Sequence, residues 1–526
     1  TNEIQHLLLR YVAGDRAKVT VVGDPDQTIY EFRGARPEFI LRRFREEFDE
    51  PLQQTLSYSF RYGHRVALLA NHLITHNHGR NDVLCHSHAS TPATQVHLHE
   101  SDQDSNIVVK LLEALPEPEQ QQTAILFRVW SQSVPIELRL LARQIPYRID
   151  AGKGALFSRE VEAVTSLLQV VTGQLPRMTA EDRLEAARQL LRFPHVGLKE
   201  QELGNMARML AGFESGWGRC LLSLDESALG PLPARKLRRL GDALTALEGY
   251  SGPVASLLKR YAEQTDLFEG IRSLALTHES ANERIDTVLG FRDYLATLDV
   301  PPAEALAHLQ NLRRQALEKQ DDTAKPAGGV LLSTIHRTKG LEWSRVIIPG
   351  LQEKYLPYSP RQQDDLKAFM ESERRLLYVA VTRTRRELHL ITRPGGPRPA
   401  IDADQAPSRF VDELCFPLSE QFGRWLDQRE GSIDRDTDHY QAGQPLTNVA
   451  QRYADRAGIT LQGESAARTT GNSPVWASHR LSHAIFGPGT VMAETDTAFD
   501  VRFDEGRTLT FSKKSAHLYF RPVTDA

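Results

Sequence analysis

The chain has 526 residues, 40% of them hydrophobic and 25% charged, which is too long for one core and suggests three or four globular domains. Its formal net charge of −4 excludes a generally basic nucleic-acid glue, so any grip on a polyanion has to be local. Cys85, Cys220 and Cys415 lie far apart with no CxxC pair, which suits a reducing, cytoplasmic setting, and neither a signal peptide nor an apolar run of membrane-spanning length is visible.

In chain order, Thr1 to Val12 reads as an amphipathic helix. Lys18 to Val22 reads as a buried strand, ended by the turn residues Gly23-Asp24-Pro25-Asp26. Just beyond come Gln27, Tyr30, Phe32 and Arg33. An amide at a strand tip can sense a phosphate oxygen, and two aromatics with an arginine can hold stacked bases and their backbone. His72, His76, His78, Cys85, His86 and His88 cluster in sequence, and His72 and His76 share a helix face. Their irregular spacing favours separate solvated or core side chains over a zinc site, so no metal is expected there. Leu115 to Thr123 reads as a polar loop and Ala124 to Arg128 as a strand.

From about residue 177 to 325 the chain turns helix-rich, with amphipathic runs at Ala281 to Leu298 and Pro302 to Lys319 and no phosphate or catalytic motif. Gly329 to Thr334 and Glu387 to Thr392 read as strands, and 425–472 is polar and charged like a linker. The closing segment begins near Trp476 and shows strand patterns at Phe499 to Phe503 and Thr508 to Phe511. The phosphate-cradling string G-x-x-x-x-G-K-[ST] does not occur; Gly152-Lys153-Gly154 lacks the upstream Gly and the Ser/Thr.

Gly23 to Ala35, GDPDQTIYEFRGA, resembles motif III of the superfamily 1 helicases of the UvrD/Rep/PcrA type, with Thr28 where Ser is usual. Leu56-Ser57-Tyr58-Ser59-Phe60-Arg61 resembles motif IV, with Ser59 for Asn and Phe60 for Tyr. Ala124 to Ser133, Ile145-Pro146-Tyr147 and Phe157 to Glu160 resemble the stretch that follows it. His195-Val196-Gly197-Leu198 is similar to a short Gly turn that meets duplex backbone, although a plain helix–helix turn fits the residues equally well. Thr334 to Trp343 resembles motif V, and Glu373 to Arg383 resembles motif VI, with Ser372 where Glu is usual. Pro407-Ser408-Arg409-Phe410 and His483 to Val491 resemble the family's closing motif and its C-terminal module.

The resemblance implies an α/β fold of RecA-like P-loop NTPase motor domains. The tail of the first would occupy 1–52, and the second 53–176 with 326–424. A helical inserted subdomain would span 177–325, a linker 425–472, and a small SH3/Tudor-like β-barrel 473–526. It implies an ATP-dependent DNA helicase and translocase moving 3′ to 5′ on single-stranded DNA in repair or replication. Gln27, Arg61 and Arg383 would face the γ-phosphate, with Arg383 as arginine finger, Phe60 the base and Glu342 the ribose. Tyr30, Phe32, Arg33 and Arg128 would hold DNA, and His336 and Lys339 would couple the two sites. ATP and Mg²⁺ would be the cofactors, with single-stranded and duplex DNA as partners, and RNA polymerase a further partner through the C-terminal barrel. Because the chain starts inside a helix that in the family follows the acidic Mg²⁺-binding motif, the expectation is an N-terminally truncated protein, with the Mg²⁺ ligands in the missing part and no hydrolysis by the chain alone. The competing reading is a non-hydrolysing DNA- or RNA-polymerase-binding fragment. A RecB-like helicase–nuclease fits less well, because no nuclease motif follows Arg383.

Overall fold

The computed structural model describes residues 2–14, 17–31, 34–36, 38–48, 51–78, 80–150, 154–225, 229–321, 328–358, 365–395, 406–427, 447–456, 480–483, 487–494, 498–504, 508–512 and 520–522. The chain divides into two compact units, 1–457 and 458–526.

In the first unit, β1 (Tyr58–Ser59) pairs with β2 (His86–Ser87) as a small parallel ribbon. Six further strands, β3 (Gln95–Glu100), β4 (Thr123–Phe127), β5 (Tyr147–Ile149), β6 (Val330–Thr334), β7 (Trp343–Leu351) and β8 (Thr384–Thr392), form one sheet in the order β3-β8-β7-β4-β6-β5. Every pairing in it is parallel. A parallel sheet covered on both faces requires unbroken apolar strands, and β4, Thr-Ala-Ile-Leu-Phe, is buried at every position. The mixed α/β architecture around a central parallel sheet is that of a RecA-like fold.

Between β5 and β6 the chain is helical, including His278–Ala296 and Pro302–Asp321 where the periodicity predicts helices. Trp217, Tyr261, Phe291 and the buried leucines of these helices share one apolar core. That core also takes in Val134, Leu138 and Leu167, so the helices Ser133–Ala142 and Arg159–Val171 tie the bundle to the sheet.

Three expectations change. The segment 115–123 is not all loop: Glu117–Gln121 is a short helix with a proline in its first turn and Glu117 and Glu119 at its N-terminus, placements that favour helix initiation. Lys18 to Val22 forms no strand, and Val22 is 81% exposed; no described strand lies beside it, and a lone strand has no partner for its backbone. Inside the span read as linker, Asn448–Arg456 is a helix whose Tyr453 is fully buried, accepting from the Ser87 backbone N–H and bonded to His64 Nδ1 at 2.8 Å.

The second unit is an antiparallel sheet of β9 (Arg480–His483), β10 (Gly487–Glu494), β11 (Ala498–Phe503), β12 (Thr508–Ser512) and β13 (Phe520–Pro522), in the order β12-β11-β10-β9-β13. Leu481, Val491, Phe499, Val501 and Phe503 are buried in it. Gly489 lies where a Cβ would sit 2.8 Å from the Val501 side chain, so the second Gly of the His483 to Val491 stretch is needed for strand packing.

Candidate functional site

Strand polarity sorts the predicted residues. Glu342 immediately precedes β7 and Arg383 immediately precedes β8, so both stand at the amino edge of the sheet. Arg128 follows β4 and His336 follows β6, at the carboxyl edge. The 335–342 loop joins the end of β6 to the start of β7, which runs parallel to it, and therefore has to cross from one edge to the other. Gly340, at φ +89°, turns this loop in a conformation that suits glycine.

At the amino edge, Arg383 is 1% exposed. Its guanidinium donates to the Val379 and Leu341 carbonyls and, at 3.1 Å, to the side-chain oxygen of Gln27. Burial, with Arg61 nearby, lowers its pKa to about 10, which leaves it charged at neutral pH. The other end of the Gln27 amide donates to Asp24 at 2.7 Å, and Asp24 itself caps the turn Pro25–Gln27. Arg61 donates to Glu342 at 2.5 Å and to the Thr382 carbonyl at 3.0 Å. The Arg61 hydrogen bond, then Arg61 and Arg385 as neighbouring charges, hold the Glu342 carboxyl below its usual range. Phe60 is 65% exposed and lies against His88, ring centroids 4.3 Å apart. A cleft lined by Gln27, Phe60, Arg61, Glu342 and Thr382 gathers these groups between the 18–27 segment and the sheet domain. An open aromatic face, two guanidiniums and an amide are the chemistry that holds a base and phosphates.

Along the crossing loop, Lys339 donates to the Gln27 carbonyl at 2.7 Å, and its ammonium stands 5.7 Å from the Tyr30 ring centre. Burial lowers the Lys339 pKa, and Arg383 adds to that. The Tyr30 hydroxyl donates to the His336 carbonyl at 2.6 Å. Residues 27 to 30 thus track the loop that joins the two edges. At the carboxyl edge Arg128 forms a two-pronged ion pair with Glu373, at 2.7 to 3.0 Å, and lies over the Tyr358 ring. Its guanidinium is a structural tie to the Leu366–Val381 helix, with only 14% of the side chain exposed. Phe32 and Arg33 lie outside the described residues.

Sequence reasoning missed the groups that hold these side chains. Asp26 takes Arg80 in a two-pronged pair at 2.8 to 3.1 Å, Glu31 takes Arg375 at 2.8 Å, and Arg374 bridges Glu413 and Asn77. The available signal was charge inside motifs flanked by apolar residues, since buried charges are almost always paired. The His/Cys cluster disperses. His72 bonds the Leu68 carbonyl, Ser419 and Thr447, and burial lowers its pKa to about 4. Cys85 meets the Tyr62 hydroxyl, and His86 stacks on Tyr453.

Residues 1–49 match the UvrD/REP helicase N-terminal domain and residues 242–394 the UvrD-like helicase C-terminal domain. Over 94% of its length the chain is 27% identical to DNA helicase II of Salmonella typhimurium strain LT2 and 26% identical to DNA helicase II of Escherichia coli strain K12. It is 24% identical, again over 94% of its length, to the ATP-dependent DNA helicase PcrA of Bacillus subtilis strain 168. The chain spans 64% of the length of the two DNA helicase II proteins and 65% of that PcrA. With both domain types in order and motifs III to VI gathered around one cleft, the chain is similar to the superfamily 1 helicases of the UvrD/Rep/PcrA type.

Proposed function

We propose that this chain is the larger part of an ATP-dependent DNA helicase that moves 3′ to 5′ on single-stranded DNA in repair or replication. The observation that carries the reading is the hydrogen bond from Arg383 of motif VI to Gln27 of motif III. It joins the two motifs a nucleotide would separate, and both groups suit a γ-phosphate. In this reading Arg61 also faces phosphate, Phe60 stacks on the base, and Glu342, drawn from Arg61 and Arg385, takes the ribose. Tyr30, Phe32 and Arg33 hold the strand. Arg128 joins them only by exchanging Glu373 for a phosphate. His336 and Lys339 pass a change at Gln27 along the crossing loop.

The residue set fits a nucleotide. For Mg²⁺ it does not: among the described residues of the cleft, Asp24, Asp26 and Glu342 all hold protein donors. Its ligands are therefore not assigned among the described residues of the cleft. The proposed domain division is 1–52 and 53–176 with 326–424 as motor parts, 177–325 as inserted subdomain, and 473–526 as an SH3/Tudor-like module that contacts RNA polymerase.

The test joins the chain to the phosphate-loop segment of a DNA helicase II relative and measures phosphate release. Hydrolysis stimulated by single-stranded DNA, absent from the unjoined chain, is the expected result. DNA binding without turnover in the joined protein would favour the second reading, a non-hydrolysing DNA-binding fragment, to which the missing G-x-x-x-x-G-K-[ST] string points.

A further inference from the structure

Away from the cleft, β3 and β8 run side by side with His97 opposite His389 and Gln95 opposite Glu387. Side chains two residues apart on a strand share a face, so His97, His99, Glu387 and His389 crowd one patch of the sheet. Glu387 Oε1 stands 3.1 Å from His389 Nε2 and 3.7 Å from His97 Nε2, and the three ligand atoms all lie within 4.8 Å of one another. The other ring nitrogen of His389, Nδ1, meets His99 Nε2 at 3.0 Å. The second oxygen of Glu387 is held by Arg345 of β7.

We propose that His97, Glu387 and His389 bind one divalent transition-metal ion of the zinc class, with His99 as a positioning residue for His389. Two imidazoles and one carboxylate are a zinc ligand set that leaves a fourth position for water, whereas magnesium and calcium prefer all-oxygen sites. Bond lengths near 2.0–2.1 Å in a tetrahedral site put ligand atoms about 3.3 Å apart. The Glu387–His389 pair already meets this spacing. The remaining contraction falls to His97, whose side chain is 40% exposed and whose ring stacks on that of His389 at 4.8 Å, while His389 is 4% exposed.

The surroundings are built for it. Metal-bound histidines give their second N–H to an acceptor that fixes the tautomer, and His99 Nε2 is placed to accept from His389 Nδ1. Arg345 occupies Glu387 Oε2 and leaves Oε1 to ligate through a single oxygen. The plainer alternative is a hydrogen-bonded patch in which His389 donates to Glu387, and the two make opposite predictions.

The experiment titrates the full chain with zinc chloride in chelator-free buffer, by calorimetry. The expected result is one ion per chain, undiminished by equimolar magnesium chloride. His97→Ala, at a half-exposed position, should weaken binding at least tenfold with an unchanged circular dichroism spectrum. His99→Ala, which touches no metal, should weaken it roughly tenfold to a hundredfold. His78→Ala, at an exposed histidine elsewhere, should leave it as in the parent. Loss of binding in His78→Ala, or unchanged zinc affinity in His97→Ala, would overturn the proposal.

Discussion

The first 48 residues and the parallel sheet are held in opposite ways. In the sheet, Ala124 to Phe127, Leu332 and Ile347 are wholly buried, and burial of this kind is the main favourable term in folding. In residues 1–48, the helix Glu3–Ala13 is well capped by Asn2 yet leaves Ile4, Leu8, Tyr11 and Val12 at 61 to 85% exposure. Although Ile29 and Phe39 are buried, the hydrogen bonds and ion pairs joining the described residues of this region to the sheet domain form a polar seam: Asp26 to Arg80, Gln27 to Arg383 and Lys339, Tyr30 to the His336 carbonyl, and Glu31 to Arg375. The difference teaches that motif III is placed largely by directional bonds, while the sheet is placed by packing.

The largest effect is expected at the seam's centre. In the joined, phosphate-loop-bearing protein, Arg383→Ala should lower turnover by about 10³- to 10⁵-fold, the range found for arginine fingers, with little loss of DNA affinity. Phosphate release and DNA binding measured side by side check this, and near-normal turnover would reduce Arg383 to a structural tie.

Next, Phe127→Ala in the sheet and Asp26→Ala in the seam should each cost about 3–5 kcal/mol, the first by opening a cavity and the second by stranding buried Arg80. Denaturant midpoints with unchanged slope would show it. If Asp26→Ala costs under about 1 kcal/mol, the seam does not dock residues 1–48, and the contrast fails.

The sheet side also carries a pH signature. Folded His72 titrates at about 4 against an ordinary 6.5, so above pH 6.5 it is neutral folded or unfolded and contributes no slope. As pH falls from 6.5 towards 4 the unfolded chain takes the proton first, and stability should drop by about 3 kcal/mol. His72→Gln should flatten that part of the stability–pH curve. An unaltered curve would place the acid sensitivity elsewhere.

The smallest effects sharpen the contrast. Tyr30→Phe removes one hydrogen bond and should cost about 1 kcal/mol. Val22→Ala, on the exposed segment, should stay within about 0.5 kcal/mol, read from the same denaturant curves.

The sequence by itself determined β4, β6 and β8, because runs such as Ala124–Phe127 and Val330–Leu332 are apolar on both faces, and it determined the long helices at 281–298 and 302–319 to within a few residues through their periodicity, while β3, β5 and β7 emerged only in the sheet. It also carried the residue types that the proposed nucleotide site uses, since motifs III, IV, V and VI each hold their chemistry within a dozen residues. Only the tertiary structure decided the rest. Val19 to Val22 has strand composition but no neighbouring strand among the described residues, and strand pairing is a property of two segments. Tyr453 sits in polar surroundings along the chain, yet it is buried because His64, His86 and Ser87 come from elsewhere. Glu373 claims Arg128 from 245 residues away, and β3 brings His97 to His389 across 292. A guanidinium or an imidazole has the same local signature whether it faces solvent, a phosphate or a distant carboxylate. Its role is set by which partner the fold brings within about 3 Å of it.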